Sequence, residues 1–211
     1  MIRSLIAVGL TVVGSHAAVA GGVVPSEIVP VVVAPADDPF DGFYGGLSLG
    51  TVQGDVTDVG TATTFAFNDG TAYGGFLGYN FQNGALVLGG EARILRFNDH
   101  DFSVETAAVG GGTITNEGQL DGVTDLRGRV GYTFGDVMVY GAAGWSWATL
   151  TALGGEADVD GHNVGLGIEY NVSDSIFVGF DYTDRDLSGA NATNDFDVNN
   201  STATLRVGFR F

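Results

Sequence analysis

Apolar and polar side chains alternate in short runs from Phe43 to Phe211, and this alternation constrains the fold of the chain most. Eight runs carry it, at 43–53, 71–82, 85–97, 124–134, 137–148, 162–171, 176–186 and 201–211, and none has the 3.6-residue period of an amphipathic helix. Each has about ten residues or more, the length a tilted strand needs to cross a bilayer. Pro25, Pro30, Pro35 and Pro39 are the only prolines, and all precede Phe40. A sheet whose every segment donates backbone hydrogen bonds excludes proline in this way. Short and long connections alternate between the runs. The short ones are Gln82-Asn83-Gly84, Gly135-Asp136 and Val172–Ser175, and the long ones are 54–70, 98–123, 149–161 and 187–200. Asn-Gly and Gly-Asp suit tight hairpins. The pattern predicts an all-β, eight-stranded antiparallel up-and-down barrel with periplasmic turns and extracellular loops. A hairpin of Val104–Val109 with Thr113–Thr115 would raise the count by two.

Side-chain parity distinguishes a membrane barrel from a soluble one. In the last run Ala203, Leu205, Val207, Phe209 and Phe211 share one face, and Thr202, Thr204, Arg206, Gly208 and Arg210 share the other. Leu126, Gly128, Val130, Tyr132 and Phe134 likewise oppose Asp125, Arg127, Arg129, Gly131 and Thr133. A lipocalin-like barrel would alternate too, with its polar face in water. Soluble exteriors mix Lys, Glu and Gln, whereas the polar face here is glycine with single charges and the chain has no lysine. Glycine suits the crowded interior of an eight-stranded barrel. The apolar face is therefore expected to meet lipid.

Arginine sorts by the same parity. Arg93, Arg127, Arg129, Arg185, Arg206 and Arg210 point inward with Glu91, Asp125, Glu169 and Asp181, and only Arg96 falls on the outer face. An arginine facing lipid at mid-bilayer costs about 2–4 kcal/mol. Inside, the planar guanidinium can satisfy two carboxylates at once. The expectation is a lumen filled by an Arg–carboxylate network, with Arg210 and Asp125 the first candidates for rim charges. The acids collect in the long connections, from Asp55, Asp58 and Asp69 to Asp195 and Asp197, where no arginine occurs.

The N-terminus is expected to be a secretory signal peptide over 1–20. It has a basic start at Arg3, an apolar core from Leu5 to Gly14, and the small-x-small site Ala18-Val19-Ala20. Residues 21–40, valine interleaved with the four prolines, read as an extended linker before a barrel over 41–211. Cleavage removes Arg3 and no acid, which leaves seven arginines against 25 acids. That charge argues against a nucleic-acid partner. The lack of cysteine excludes thiolate metal sites and disulfides. Asp158-Val159-Asp160-Gly161 lacks the terminal Glu of a calcium loop.

The chain also resembles a known family, the small outer-membrane β-barrels of the opacity and alphaproteobacterial surface-antigen type, relatives of OmpA-like and OmpX-like barrels and of the porin family. Asp41-Gly42-Phe43-Tyr44-Gly45-Gly46, Gly89-Gly90-Glu91 and Leu126-Arg127-Gly128-Arg129-Val130-Gly131-Tyr132 carry the resemblance. Val164-Gly165-Leu166-Gly167-Ile168-Glu169-Tyr170 and Arg206-Val207-Gly208-Phe209-Arg210-Phe211 continue it. The resemblance implies that Leu205, Val207, Phe209 and Phe211 form an assembly signal read by the barrel-assembly machinery. It also implies a Gram-negative outer-membrane location, with membrane lipid and lipopolysaccharide as neighbours and a monomer as the simplest state. Barrel enzymes of this membrane place His with Ser or a carboxylate on the outer rim or barrel face. His162 is followed by Asn163-Val164, so the His-x-Ser pattern of lipid A deacylase is missing, and Asp99-His100-Asp101 has no specified nucleophile nearby. No catalytic, cofactor or metal residue is assigned. Two readings remain, a structural or surface-interaction barrel and a narrow or gated diffusion pore.

Overall fold

The computed structural model describes residues 38–107, 113–152, 155–190 and 194–211. The expected signal peptide, with Ala18 and Ala20, and residues 21–37 of the expected linker lie outside them. Ten strands are present among the described residues. They are β1 (Gly42–Asp58), β2 (Thr63–Ala66), β3 (Gly70–Asn83), β4 (Leu86–Asn98), β5 (Asp101–Ala107), β6 (Thr113–Phe134), β7 (Val137–Ala152), β8 (Gly155–Asn171), β9 (Ile176–Ala190) and β10 (Asp195–Arg210). Eight of them pair antiparallel in the order β1, β3, β4, β6, β7, β8, β9, β10, and β10 pairs back with β1 through Leu47 opposite Val207. The sheet is closed. The short strands β2 and β5 lie off the ring, on the outer ends of β1 and β6.

The eight ring strands coincide with the eight alternating runs but outrun them at one end. β7 and β8 stay paired as far as Ala152 and Gly155, and β9 and β10 as far as Ala190 and Asp195. Much of what reads as long loop is thus strand. In the second connection Val104 pairs with Asn116 and Ala107 with Thr113, so a hairpin does stand above the ring. Its second arm is the start of β6, so it adds one strand, β5, instead of two, and Val109 lies outside the described residues. At the opposite end the turns are tight, and Gly84 and Gly135 supply positive φ values of 60° and 64°.

The extension has a physical cause visible along single strands. In β10 the outer residues run from Asp195, Asp197 and Asn199 to Leu205, Val207 and Phe209, while the buried ones run from Phe196 and Val198 to Arg206 and Arg210. β8 repeats this, with Asp158 and Asp160 giving way outside to Val164 and Leu166, and Ala157 and Val159 giving way inside to Asn163 and Glu169. The parity stays constant while the chemistry of the two faces exchanges. Above the apolar outer band the barrel behaves as a soluble one, burying a cluster that includes Val52, Val56, Leu95, Phe97, Leu120, Leu150, Leu187, Phe196 and Val198. That burial keeps the strands paired beyond the bilayer. The persistence of period two at Ala157-Asp158-Val159 and Phe196-Asp197-Val198 is the sequence signal for it.

Inward glycines make room for rings. Tyr44 faces Gly78, Phe76 faces Gly46, Tyr140 faces Gly167 and Phe177 faces Gly208 as direct cross-strand partners. A Cβ on Gly167 would lie 2.2 Å from the Tyr140 ring, and one on Gly208 2.2 Å from the Phe177 ring. The aromatic side chain lies over the backbone of its neighbour.

Candidate functional site

Parity brings the six inward arginines and four carboxylates together in mid-barrel, each 5% exposed or less. Arg185 grips Asp125 with two nitrogens, Nε to Oδ1 at 2.9 Å and Nη2 to Oδ2 at 2.8 Å. Arg93 joins Asp125 to Asp181 through contacts of 2.7 Å each. Arg127 joins Asp181 to Glu91, also at 2.7 Å each. Arg129 joins Glu91 at 3.2 Å to Glu169 at 2.6 Å, and Arg210 closes on Glu169 at 2.8 Å. Charges of opposite sign therefore alternate without a break from Arg185 to Arg210. Arg206 cross-links the series, reaching Glu91 at 2.5 Å and Asp181 at 3.5 Å. Two phenols complete it. Tyr140 donates to Asp181 Oδ2 at 2.7 Å and accepts from Arg206 at 2.8 Å, while Tyr44 donates to Glu91 at 3.0 Å and accepts from Arg129. Isolated ions would be expensive here, and shared guanidinium forks offset that expense.

Arg210 and Asp125 are not rim charges. Both are buried, because the lumen continues past them at each end. At the turn end Phe40 is fully buried and seals the mouth. Its N–H donates to Gln82 Oε1 at 2.8 Å, its carbonyl accepts from Arg210 at 3.2 Å, and the Arg210 guanidinium stands 4.7 Å from its ring. Pro39 O accepts from Asn171 at 3.3 Å. Pro39 and Phe40, expected in the linker, thus pack into the barrel; no periodicity marks them. At the other end the apolar cluster covers Arg185. Lumen contents therefore lie at three levels, an aromatic base, an ionic middle and an apolar cap.

The family described as outer membrane protein beta-barrel domain matches residues 28–211. The chain belongs to that family. It is similar to a 22 kDa outer membrane protein of Rhizobium leguminosarum bv. viciae, 29% identical over 147 residues, an alignment spanning 64% of each chain. Among solved structures it is similar to Ail, the attachment invasion locus protein of Yersinia pestis, with 17% identity, a TM-score of 0.46, and 81% of this chain and 99% of Ail covered. Neisserial surface protein A gives 15% identity, a TM-score of 0.45, and coverage of 81% and 98%. The protein is a Gram-negative outer-membrane β-barrel, so its apolar band faces lipid and its acidic end faces outward.

On this outer-membrane barrel Leu205, Val207 and Phe209 are exposed along the lipid face of β10, and Phe211 continues the seam by donating its N–H to Phe43 O at 3.0 Å. Asp58, one of the acids of the long connections, turns inward and accepts from Thr61 N at 3.1 Å and Asn194 Nδ2 at 2.6 Å. His100 lies in the cap at 2% exposure, stacked on Phe67 at 4.5 Å. Its Nδ1 meets Asn68 O at 3.1 Å and its Nε2 meets Asn200 Nδ2 at 3.1 Å. Asn200 Oδ1 in turn accepts from Arg185 at 3.3 Å, which fixes the amide orientation. His100 Nε2 is then an acceptor, and the ring is neutral with its proton on Nδ1. His162 stands on the outer face 3.8 Å from Asp186. Only tertiary pairing places Asn200 beside His100.

Proposed function

We propose that this outer-membrane barrel is a non-conducting, non-enzymatic wall element that anchors an acidic surface rim, rather than a diffusion pore. The occupation of the lumen at three successive levels supports this reading. Phe40, the Arg–carboxylate series and the apolar cap each stand across the path of a solute. Engagement of both His100 ring nitrogens within the cap favours a structural role for that residue. Outer-leaflet lipid and lipopolysaccharide are the proposed neighbours of the monomer, and the barrel-assembly machinery its partner during insertion. Single-channel recording on protein refolded into planar bilayers tests the reading. A flat baseline is expected under applied voltage, and steady openings from the unmutated protein would favour the pore.

A further inference from the structure

Arg96 is the one arginine among the described residues that points away from the lumen, and it forms no ion pair there. It borders an open groove of about 540 Å³ on the outer surface of β4, β6, β7 and β8, which Trp147 and the carboxylates of Asp121, Asp158 and Asp160 also line. A bulge creates the floor. The β6–β7 register shifts between Leu120 and Val123, so Gly122 and Val123 are both buried and β6 skips an outward side chain at this level. Arg96 lies across Gly122, where a Cβ would come within 3.2 Å of its Cδ.

The groove straddles the boundary between the lipid-facing band and the acidic rim. Directly toward the band lie exposed Ile94 on β4, Leu126 on β6, Trp145 on β7 and Val164 on β8. Trp145 and Trp147, the only tryptophans of the chain, mark a membrane interface. Counted outward from the last apolar residue of its strand, Arg96 is the first polar side chain. Asp121 and Asp160 are the second on theirs, and Asp158 the third. A cation near the acyl region with anions beyond it is complementary to a headgroup whose phosphate lies near the chains and whose ammonium lies farther out. A wholly anionic headgroup would meet three carboxylates.

We propose that this groove seats a zwitterionic lipid headgroup of the phosphoethanolamine type. The phosphate lies on Arg96 and the ammonium among Asp121, Asp158, Asp160 and the indole of Trp147. The acyl chains run down over Ile94 and Leu126.

Trp147 provides the readout. The unmutated protein, in which the Trp145 indole donates to Asp160 Oδ2 at 2.9 Å, is folded in a nonionic detergent with EDTA present and titrated with dihexanoyl phosphatidylethanolamine while fluorescence is followed. A saturable shift is expected. Dihexanoyl phosphatidylglycerol, which lacks the ammonium, and free phosphoethanolamine, which lacks the chains, should each bind about tenfold more weakly or worse. Arg96→Gln should weaken phosphatidylethanolamine binding about tenfold. Asp160→Asn should narrow the preference over phosphatidylglycerol. Heat-dependent gel mobility verifies that each variant is folded. Equal binding of the two lipids, an unchanged Arg96→Gln titration, tighter binding of the free headgroup, or no saturable shift would each overturn the assignment.

Discussion

Arg93 and Asp181 stand on β4 and β9, which occupy opposite positions in the ring of eight strands, and their side chains meet at 2.7 Å. A contact across the full width leaves no open lumen at that level. It also makes Asp181 as widely shared as Glu91, with three arginines and a tyrosine each, since Arg127, Arg206 and Tyr140 reach it as well.

Asp181→Asn keeps the shape of that side chain and removes its charge, leaving three arginines with one carboxylate fewer. Breaking a buried ion pair on one side costs about 3–5 kcal/mol. The urea midpoint of the refolded barrel in detergent should fall accordingly, while bilayer conductance stays flat because the lumen remains filled.

Phe40→Ala opens the aromatic base and removes the ring beside Arg210. A buried Phe→Ala change costs about 3–5 kcal/mol. The urea midpoint should drop, and Arg210 should become accessible to an arginine-directed reagent added to folded protein. Conductance should again stay flat, because the ionic and apolar levels lie above. A current in this variant alone would identify Phe40 as the seal.

His100 makes the extracellular cap sensitive to acid. Burial holds its ring below its ordinary value of 6.5, against the opposing pull of the Asn68 carbonyl and of Asp101 and Asp69. The unfolded chain therefore takes up this proton first as pH falls. Its stabilising contribution is complete above 6.5 and is lost on going down through the lower folded-state value. Protonation also turns Nε2 into a donor facing the Asn200 amide. Amide protection in the cap, corrected for the slower intrinsic exchange in acid, should fall between about pH 7 and pH 5, and His100→Gln, which does not titrate, should flatten that dependence.

The outer face of β10 carries a proposal about assembly. If Leu205, Val207, Phe209 and Phe211 are read during insertion, Phe211→Ser should reduce the amount recovered in the outer membrane and raise the unassembled periplasmic fraction. The same variant should refold in detergent about as well as the parent, because Phe211 is exposed and contributes its seam hydrogen bond through its backbone. Equal loss in both assays would point to stability instead.

Local alternation was enough to place the eight ring strands and the two faces of each. Period two is a property of neighbouring residues, and the bilayer penalises any charge on the wrong side, so Arg127, Arg129 and Arg206 could be sorted without knowing their partners. The cap was harder to read. Val56, Phe67, Leu120 and Phe196 lie between acids and glycines in stretches that look like loops, and they cohere only when β1, β6 and β10 converge. Phe40 lies in a proline-rich stretch with no periodicity, and its burial depends on a mouth formed by residues far along the chain.

The chain by itself determined closure into a barrel, the lipid face, and which charges must turn inward, because these follow from spacing along each strand. The tertiary structure alone decided that Arg93 meets Asp181, that His100 meets Asn200 and that the β6 bulge opens a groove beside Arg96. Those contacts join residues brought together by ring order and register, which the backbone hydrogen bonds of all eight strands set collectively.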